Sequence, residues 1–339
     1  MKKKLFVLSL FALLAILAIA NMTYQNVKQL AEEKILIKEE RLFTIEPGTG
    51  RVALGELLVQ DKIMDSDSAQ FLQWLLRLEP ELAKIKAGTF RLMPGMSTRE
   101  MLMLFVSGKE AQFTIQFIEG TRLSDALETL KKAPNIKHTL EDYSDDTLRA
   151  LFDMEGSLYP EGMIYPDTYN YTFNTSDKEI LLRANRALNK TLDEAWESRQ
   201  KELPYKDKYE LLIMASIIEK ETAVSSERNK VASVFVNRLN KNMRLQTDPT
   251  VIYGMGSQYQ GNIRKKDLET STPYNTYTIE GLPPTPISLV AKESIQAAAN
   301  PANTNYLYFV ADGKGGHVFN ENLQAHNKSV RDYLKTLKN

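Results

Sequence analysis

Two glutamates, Glu219 and Glu221, stand two positions apart in the apolar stretch ASIIEKETA, and an acid in apolar surroundings can serve as a proton donor. Residues 209–222 contain neither glycine nor proline, so the sequence predicts a helix there. The apolar residues expected on one side of this helix are Leu211, Met214, Ile217 and Ile218. At about 100° per residue, Glu221 falls on that side and Glu219 falls about 200° away from it. Glu221 is therefore the acid expected to face the buried side, near the helix end.

A carboxylate on a buried helix face is costly if it is ionised and unpaired. One interpretation is an ion pair between Glu221 and an arginine such as Arg228, Arg238 or Arg244. The other is a glutamic acid whose pKa is raised by apolar walls, so that it stays protonated and acts as a general acid. Cleavage of a glycosidic bond needs such a donor for the leaving oxygen.

Polar and aromatic side chains with little charge follow this helix, in the segments RLQTDPTVIYGMG and YNTYTIEGLPPTPIS. Aromatic rings can stack on sugar faces, and amides can bind hydroxyl and acetamide groups. The alternative is turn chemistry, since Asn and Thr favour turns. The candidate sugar-binding residues are Gln246, Thr247, Tyr274, Asn275, Thr276 and Tyr277.

Two further acids could share a cleft with Glu221. Asp248, followed by Pro249, fits a helix N-cap with proline at the first helical position, so its role could be limited to capping. Glu161 lies in YPEGMIYPD, a stretch too rich in proline for one continuous helix. Both acids are counted as candidate site residues, and for Glu161 a supporting or structural role is expected.

The elements before the site repeat one pattern three times: an alternating β-rich run, a glycine-containing turn and an amphipathic helix. The runs begin FTIEPGTG, TFRLMPGMS and FTIQFIEGTR, and Ser97 with Glu100 forms a capping-box pattern at the second helix. A further helix, SAQFLQWLLRLEPEL, lies between the first two. The first two modules resemble LysM-like wall-binding modules in outline; the alternative is a plain structural spacer.

The predicted fold class is α+β, with a LysM-like small α+β domain at residues 42–115 and a connecting module at 116–150. Residues 151–339 are expected to form a mixed α/β domain with Glu221 on a helix. That domain includes a long helix at 177–200 and a hairpin, YLYFVADGKGGHVF, that turns at DGKGG. A tail helix containing AHNKSV follows the hairpin.

The N-terminus carries the basic sequence MKKK before an uncharged run at residues 5–20. The basic flank predicts that the N-terminus stays in the cytoplasm and that the rest of the chain crosses the membrane. Ala18-Ile19-Ala20 also fits a signal-peptide cleavage site, and the run is short for a span, which needs roughly 17–25 residues. The residues leave an uncleaved anchor and a cleaved signal as alternatives. With an uncleaved anchor, the chain divides into a cytoplasmic tail at 1–4, a transmembrane anchor at 5–24 and a charged juxtamembrane stalk at 25–41.

Composition excludes several classes of protein. Lys plus Arg and Asp plus Glu both total 43 in the 339-residue chain, so charge gives no indication of nucleic-acid binding. The absence of cysteine excludes disulfides and thiolate chemistry, and three histidines without close spacing make a zinc site unexpected. The sequence has no G-x-S-x-G elbow, and GKGG lacks the spacing of a phosphate loop.

Five segments carry a family resemblance: ASIIEKETA, RLQTDPTVIYGMG, YNTYTIEGLPPTPIS, YLYFVADGKGGHVFNENLQAHN and the upstream EGMIYPDTY. Together they resemble the YceG-like family of endolytic murein transglycosylases. The resemblance covers essentially the whole chain. It implies an enzyme that cleaves the MurNAc–GlcNAc β-1,4 bond in nascent peptidoglycan, leaves a 1,6-anhydro-MurNAc end and terminates strand elongation. Peptidoglycan strands are the implied substrate, and peptidoglycan synthases are candidate partners.

The resemblance also implies residue roles and a location. The family's catalytic glutamate corresponds to the second acid of EKET, Glu221, which agrees with the helical-face argument. One carboxyl group then serves as acid and afterwards as base, and no cofactor is expected. The implied location is the inner membrane, with a single pass, a cytoplasmic N-terminus and a periplasmic body, which favours the uncleaved anchor.

Two rival interpretations remain at this stage. In a hydrolytic muramidase, Glu161 or Asp248 would activate water and the product would be a reducing sugar. In a non-catalytic, membrane-anchored wall-binding module, the LysM-like part would bind glycan and Glu221 would be structural. The apolar setting of Glu221 and the polar loops after it argue against the second.

Overall fold

A computed structural model describes residues 2–156 and 158–337. The chain forms two compact units, Met1–Phe113 and Thr114–Asn339. Helices predominate in both, and the strands of the described residues form three two-stranded sheets. The expectation of a mixed helix and sheet protein with an N-terminal apolar helix is confirmed, whereas the LysM-like assignment and the domain limits stay predictions.

The first helix, α1 (Lys2–Glu32), combines an exposed apolar half with a half that belongs to a core. It is the one helix in the described part of the chain that is long and apolar enough to cross a membrane. Val27, Leu30 and Ala31 are buried because their helical spacing places them on one face. The segment 25–41, expected as a charged stalk, thus supplies core residues, while its charged residues within α1, Lys28 and Glu32, are exposed.

The first unit pairs β1 and β2 antiparallel, with Phe43 opposite Phe90 in the register. Both rings pack on Phe105, at 5.6 and 5.0 Å between centroids, and form the centre of the core. The elements are β1 (Arg41–Ile45), α2 (Arg51–Gln60), α3 (Ser66–Leu78), β2 (Gly88–Leu92) and α4 (Thr98–Ser107). The capping box at α4 is confirmed, since the Ser97 amide donates to Glu100 Oε2 and the Glu100 amide donates to Ser97 Oγ.

In the second unit, several helices pack around one buried helix. Two of the strand pairs, β3 with β4 and β5 with β6, also belong to this part of the chain. The predicted hairpin is β5 with β6, paired antiparallel. The strands are β3 (Phe113–Gln116), β4 (Thr168–Tyr171), β5 (Tyr308–Ala311) and β6 (His317–Asn320). The helices are α5 (Leu123–Lys132), α6 (Asp145–Leu151), α7 (Asp177–Glu197), α8 (Lys208–Glu221), α9 (Arg228–Asn240), α10 (Asp248–Met255), α11 (Lys265–Glu269), α12 (Lys292–Ala299) and α13 (Leu323–Thr336).

The buried helix is α8, which packs against α7, α9, α10 and α12. Every residue from Leu211 to Ile218 is buried, so the expectation of one apolar side is wrong for most of its length. A helix that is apolar all round belongs in the middle of a core, and here other helices cover each side. Glu221 is the last residue of α8, where the helix leaves the core.

Candidate active site

A cavity of about 470 Å³ opens in the second unit where α8 ends. Its lining joins the end of α8 to the segment before α10, the loop around Tyr277, strand β5 and helix α13. Five of the residues predicted from sequence line this cavity: Glu221, Gln246, Thr247, Asp248 and Tyr277. The structure thus brings together residues that the chain separates by more than 50 positions.

Glu221 accepts a hydrogen bond from the Thr247 hydroxyl at Oε1. Burial raises the pKa of the Glu221 carboxyl, and the negative charge of Asp248 raises it further. The Thr247 hydrogen bond and the positive charges of His317 and Arg238 act in the opposite direction, and burial prevails. Glu221 therefore holds its proton more tightly than an ordinary glutamic acid does, and it borders open space.

The expected alternative of an ion pair does not occur at Glu221 among the described residues. Arg228 donates to Ser225 Oγ at 3.1 Å, and Arg244 donates to the Tyr277 carbonyl at 3.0 Å. Arg238 donates to the carbonyls of Leu307, Arg244 and Leu245 and to Gln246 Oε1. Each of the three arginines is thus engaged elsewhere, and Glu221 is left with the hydroxyl of Thr247.

Thr247 is held by two other buried threonines. Its amide donates to Thr276 Oγ1 at 3.0 Å, and its carbonyl accepts from Thr250 Oγ1 at 2.8 Å. The hydroxyls of Thr250 and Thr276 lie 2.9 Å apart and share a hydrogen bond. Because the first two hydrogen bonds fix the backbone of Thr247 and the third joins their partners, the hydroxyl that reaches Glu221 has a defined position.

The residues on either side of Thr247 also line the cavity. Gln246 has a left-handed backbone with φ of 51°, its amide donates to the Thr276 carbonyl, and its Oε1 accepts from Arg238. Asp248 Oδ1 accepts from the Tyr277 hydroxyl at 2.6 Å. A left-handed conformation is uncommon for a residue with a side chain, and it often marks a functional site.

The predicted capping role of Asp248 is wrong by one position. Thr247 is the N-cap of α10 and makes no side-chain capping hydrogen bond, while Asp248 is the first helical residue. Pro249 then occupies the second helical position, where a missing amide proton is also tolerated. The carboxylate of Asp248 is therefore engaged with Tyr277 at the cavity.

Asn275 and Thr276, predicted as sugar-binding residues, are fully buried behind the lining. Asn275 Nδ2 donates to the carbonyls of Asp267, Leu268 and Thr270, and its Oδ1 accepts from the Tyr277 amide at 2.9 Å. A fully buried side chain whose amide donors are all used by backbone carbonyls is not available to a ligand in the cavity. Both residues position the loop that presents Tyr277 and Thr247.

Glu161 and Tyr274 belong to a separate cluster and do not line the cavity. Glu161 accepts from the amides of Leu123 and Gly162 at 2.8 and 3.2 Å, and from the Tyr253 hydroxyl at 3.0 Å. The rings of Tyr253 and Tyr274 lie 4.8 Å apart. Burial raises the pKa of Glu161 despite these donors. The prediction that Glu161 and Tyr274 lie with the other site residues is therefore wrong, because neither lines the cavity.

The sequence reasoning missed the far wall of the cavity. Its polar members are Arg238, Tyr308, His326 and Asn327, and its apolar members are Phe235, Leu245, Phe309 and Leu323. Leu245 comes from the segment before α10, and the others come from α9, β5 and α13, so these residues share no local motif. AHNKSV contains two of them, but nothing in that segment alone indicates that a helix end turns them toward Glu221.

Three side chains of this wall form a stack. The Arg238 guanidinium lies 5.1 Å from the Tyr308 ring, and the Tyr308 ring lies 5.1 Å from the His326 ring. Arg238 is 7% exposed and donates to the carbonyls of Leu307 and Leu245 at 2.7 and 2.9 Å. Burial and the Arg238 charge lower the pKa of His326, which favours a neutral ring. The wall therefore presents one buried cation.

A second acid, Glu227, contacts His317, whose charge influences Glu221. His317 Nδ1 lies 2.7 Å from Glu227 Oε2, and the His317 amide donates to Glu227 Oε1 at 3.1 Å. An ionised carboxylate only accepts hydrogen bonds, so with Glu227 ionised Nδ1 carries the proton. This pair ties β6 to the turn before α9, and the His317 charge lowers the pKa of Glu221.

Comparison with known proteins places these features in context. The sequence model of the YceG-like family matches residues 43–332. An endolytic murein transglycosylase of Bacillus subtilis (strain 168) is 32% identical over 311 residues, which cover 86% of this chain and 84% of the relative. An endolytic murein transglycosylase of Streptococcus pneumoniae serotype 2 is 28% identical over 285 residues, which cover 74% of this chain and 51% of that relative.

A solved structure is also similar. The crystal structure of the YceG-like protein lmo1499 from Listeria monocytogenes, at 2.6 Å, superposes with a TM-score of 0.53 and 30% identity. The similarity covers 86% of this chain and 99% of that one.

Proposed function

Because the chain belongs to the YceG-like family, we propose that it is an endolytic murein transglycosylase that cleaves the MurNAc–GlcNAc β-1,4 bond within peptidoglycan strands. Such an enzyme is a lyase that leaves a 1,6-anhydro-MurNAc end. The observation that carries the proposal is Glu221, whose pKa is raised by burial and whose carboxyl group accepts a hydrogen bond from Thr247 at the edge of the cavity.

Glu221 acts first as the acid. Thr247 donates to Oε1, which leaves Oε2 to carry the proton that is transferred. The proton passes to the glycosidic oxygen as the bond between this oxygen and C1 of MurNAc breaks. The positive character that develops at C1 is stabilised by the acetamide of the same sugar, so the reaction needs no second enzyme carboxylate.

Glu221 acts next as the base. Its carboxylate takes the proton of the C6 hydroxyl while O6 bonds to C1, which closes the 1,6-anhydro ring and restores the protonated acid. The charges of Arg238 and His317 and the Thr247 hydroxyl favour the ionised carboxylate between the two steps. The balance between these groups and burial suits a carboxyl group that must lose and regain a proton.

The remaining lining residues supply binding. Gln246 and Asn327 offer amides, the Tyr277 ring offers a flat surface, and Tyr308 offers its hydroxyl to a glycan strand. Of the two acids that could activate water in a hydrolytic muramidase, Asp248 lines the cavity and Glu161 does not. Because the Asp248 carboxylate accepts a hydrogen bond from the Tyr277 hydroxyl, its proposed role is to hold Tyr277 in place.

The proposed location follows from α1. The helix serves as an uncleaved anchor with Lys2, Lys3 and Lys4 on the cytoplasmic side, and the chain after the span lies outside the cytoplasm. The inner membrane, the periplasm, a LysM-like wall-binding role for the first unit and a synthase partner remain predictions of the resemblance.

Mass spectrometry of sacculi digested with the purified protein tests the function. Wild type is expected to release internal anhydro-muropeptides and Glu221→Gln none. Glu219→Gln is the matched control, because Glu219 lies two residues earlier on α8 and accepts from the Ala291 amide away from the cavity. Reducing ends in place of anhydro ends would indicate hydrolysis, and equal anhydro product from wild type and Glu221→Gln would move the chemistry off Glu221.

A further inference from the structure

An apolar groove of about 490 Å³ lies in the first unit between α1 and the C-terminal end of α3. One wall is the side of α1 from Ile16 to Val27, and the other is formed by Trp74 and Leu78. Trp74 is 48% exposed and Leu78 is 54% exposed. Large apolar side chains that stay exposed beside an apolar groove indicate an interaction surface.

The groove is continuous with the proposed membrane span, because α1 runs without interruption from Lys2 to Glu32. Val27, Leu30 and Ala31 of the same helix are buried in the core of the first unit. At 1.5 Å per residue, the exposed apolar residue Ile19 stands only about 12 Å along the axis from Val27. No flexible linker therefore separates the span from the folded unit.

The length of the span places the groove at a defined depth. A helix needs about 20 residues to cross the hydrocarbon core, so a span that begins at Phe6 reaches the outer boundary near Tyr24. Ile16, Ile19 and Ala20 then lie at the depth of the acyl chains. Trp74 and Leu78 line the same groove as these residues, so they cannot lie far from the outer leaflet.

The polar groups at this edge fit the same depth. The Arg77 guanidinium lies 5.1 Å from the Trp74 ring, and Lys28 Nζ lies 5.2 Å from the Tyr24 ring. Aromatic rings beside cations are typical of the boundary between acyl chains and anionic headgroups. Glu79, directly after α3, is paired with Arg99.

We propose that the end of α3, with Trp74 and Leu78, is seated in the outer leaflet of the membrane at the boundary between headgroups and acyl chains. The proposal rests on the uncleaved anchor of the proposed function and goes beyond it, because it makes a folded unit a second membrane contact. The occupant of the groove is lipid: acyl chain between α1 and α3, and headgroup phosphate beside Arg77 and Lys28.

Tryptophan fluorescence of the full chain in liposomes tests whether the end of α3 contacts the membrane. The chain has two tryptophans, so Trp196→Phe leaves Trp74 alone and Trp74→Phe leaves Trp196 alone. Trp196 is a matched control because it also stacks under an arginine, Arg199, and belongs to the second unit. With lipids brominated near the headgroup end of the acyl chain, quenching of Trp74 is expected to exceed that of Trp196 at least about threefold.

Three outcomes would overturn the proposal. If the protein floats with liposomes but shows no excess quenching of Trp74, α1 is an anchor and the end of α3 does not contact the membrane. If the protein does not float, α1 is not an anchor, and the proposed contact of α3 fails with it. Quenching of Trp74 that falls as the protein-to-lipid ratio rises would mean that a second copy, rather than lipid, fills the groove.

A second measurement depends on the absence of cysteine from the chain. A nitroxide on Leu78→Cys is expected to be more accessible to oxygen than to a water-soluble nickel complex, as in lipid. Val52→Cys is the control, since Val52 is 55% exposed in the same unit and does not line the groove. Equal accessibility profiles at the two positions would contradict the seat.

Discussion

Two partly buried glutamates of the second unit, Glu221 and Glu161, both have a raised pKa but differ in what surrounds the carboxyl group. Burial raises the pKa of both carboxyl groups above the ordinary value of 4.5. Glu161 accepts three hydrogen bonds, two of them from backbone amides, and does not border the cavity. The hydrogen bond to Glu221 comes from Thr247, and the residue lines open space.

The difference shows that a raised pKa does not by itself mark a catalytic acid. Glu161 holds the first residue of α5, Leu123, together with Gly162 and Tyr253, so its oxygens are already used by the fold. Glu221 keeps an oxygen for a substrate, and the charges around it include Arg238 and His317. Unused hydrogen-bonding capacity beside a cavity is thus the more informative feature.

The largest expected difference between the two glutamates is in activity. Glu221→Gln cannot donate a proton and is expected to lose about 10²- to 10⁴-fold in the rate of anhydro-muropeptide release. Glu161→Gln keeps an oxygen for the amides of Leu123 and Gly162 and is expected to stay within about threefold of wild type. Initial rates on purified glycan strands measure both, and comparable losses in the two variants would erase the distinction drawn here.

Alanine at the same positions is expected to reverse the ranking when stability is measured. Glu161→Ala leaves two backbone amides and a tyrosine hydroxyl without their acceptor, which costs about 2–4 kcal/mol of the free energy of unfolding. Glu221→Ala removes the partner of one hydroxyl beside open space and is expected to cost less than about 1 kcal/mol. Urea unfolding of the four proteins tests the ranking, with Glu161→Gln as the control that keeps the amide contacts.

The helices and turns near the site were largely predictable because their signals are local. The limits of α8 agree with the absence of glycine and proline over residues 209–222, and the capping box at α4 shows in the spacing of Ser97 and Glu100. The burial of α8 on all sides was not predictable, because it depends on where α7, α9 and α12 pack. The same holds for the core residues of α1 within the charged segment 25–41.

The candidate site was predictable in part for the same physical reason. Residues 246–248 and Tyr277 were found because polar and aromatic side chains interrupt the pattern of a core. Which of the neighbours face the cavity depends on loop conformation, so the prediction did not separate Tyr277 from the buried Asn275 and Thr276. Arg238 and His326 were missed as lining residues because tertiary packing alone brings α9 and α13 to the end of α8.

A smaller effect is expected from the one hydroxyl that Glu221 binds. The Thr247 hydrogen bond favours the ionised carboxylate and thereby lowers the pKa of Glu221. Thr247→Val removes it, so the pKa of Glu221 rises and the loss of activity at alkaline pH moves to higher pH. The optimum rate is expected to fall less than about tenfold, the order of one hydrogen bond.

The pH dependence of kcat/KM measures this shift, and Thr247→Ser is the matched control because it keeps the hydroxyl. An alkaline limb that moves to lower pH in Thr247→Val, or one that moves equally in Thr247→Ser, would show that the hydroxyl does not tune Glu221.

The smallest expected effect concerns the stability of the folded protein as pH changes. Because the pKa of Glu221 is raised on folding, the folded state holds this proton more tightly than the unfolded state does. The contribution of Glu221 to the free energy of unfolding is therefore fully present below pH 4.5, the ordinary value, and is lost as pH rises through the folded-state pKa.

Glutamine cannot ionise, and its oxygen can still accept from Thr247, so Glu221→Gln escapes this loss. The difference in free energy of unfolding between Glu221→Gln and wild type is expected to grow with pH between 4.5 and the folded-state pKa of Glu221, and to stay constant at higher pH. Urea unfolding at a series of pH values measures the difference, with Glu219→Gln on the same helix as the control. Parallel curves for wild type and Glu221→Gln would mean that folding does not raise this pKa, and the acid role of Glu221 would then lose its electrostatic basis.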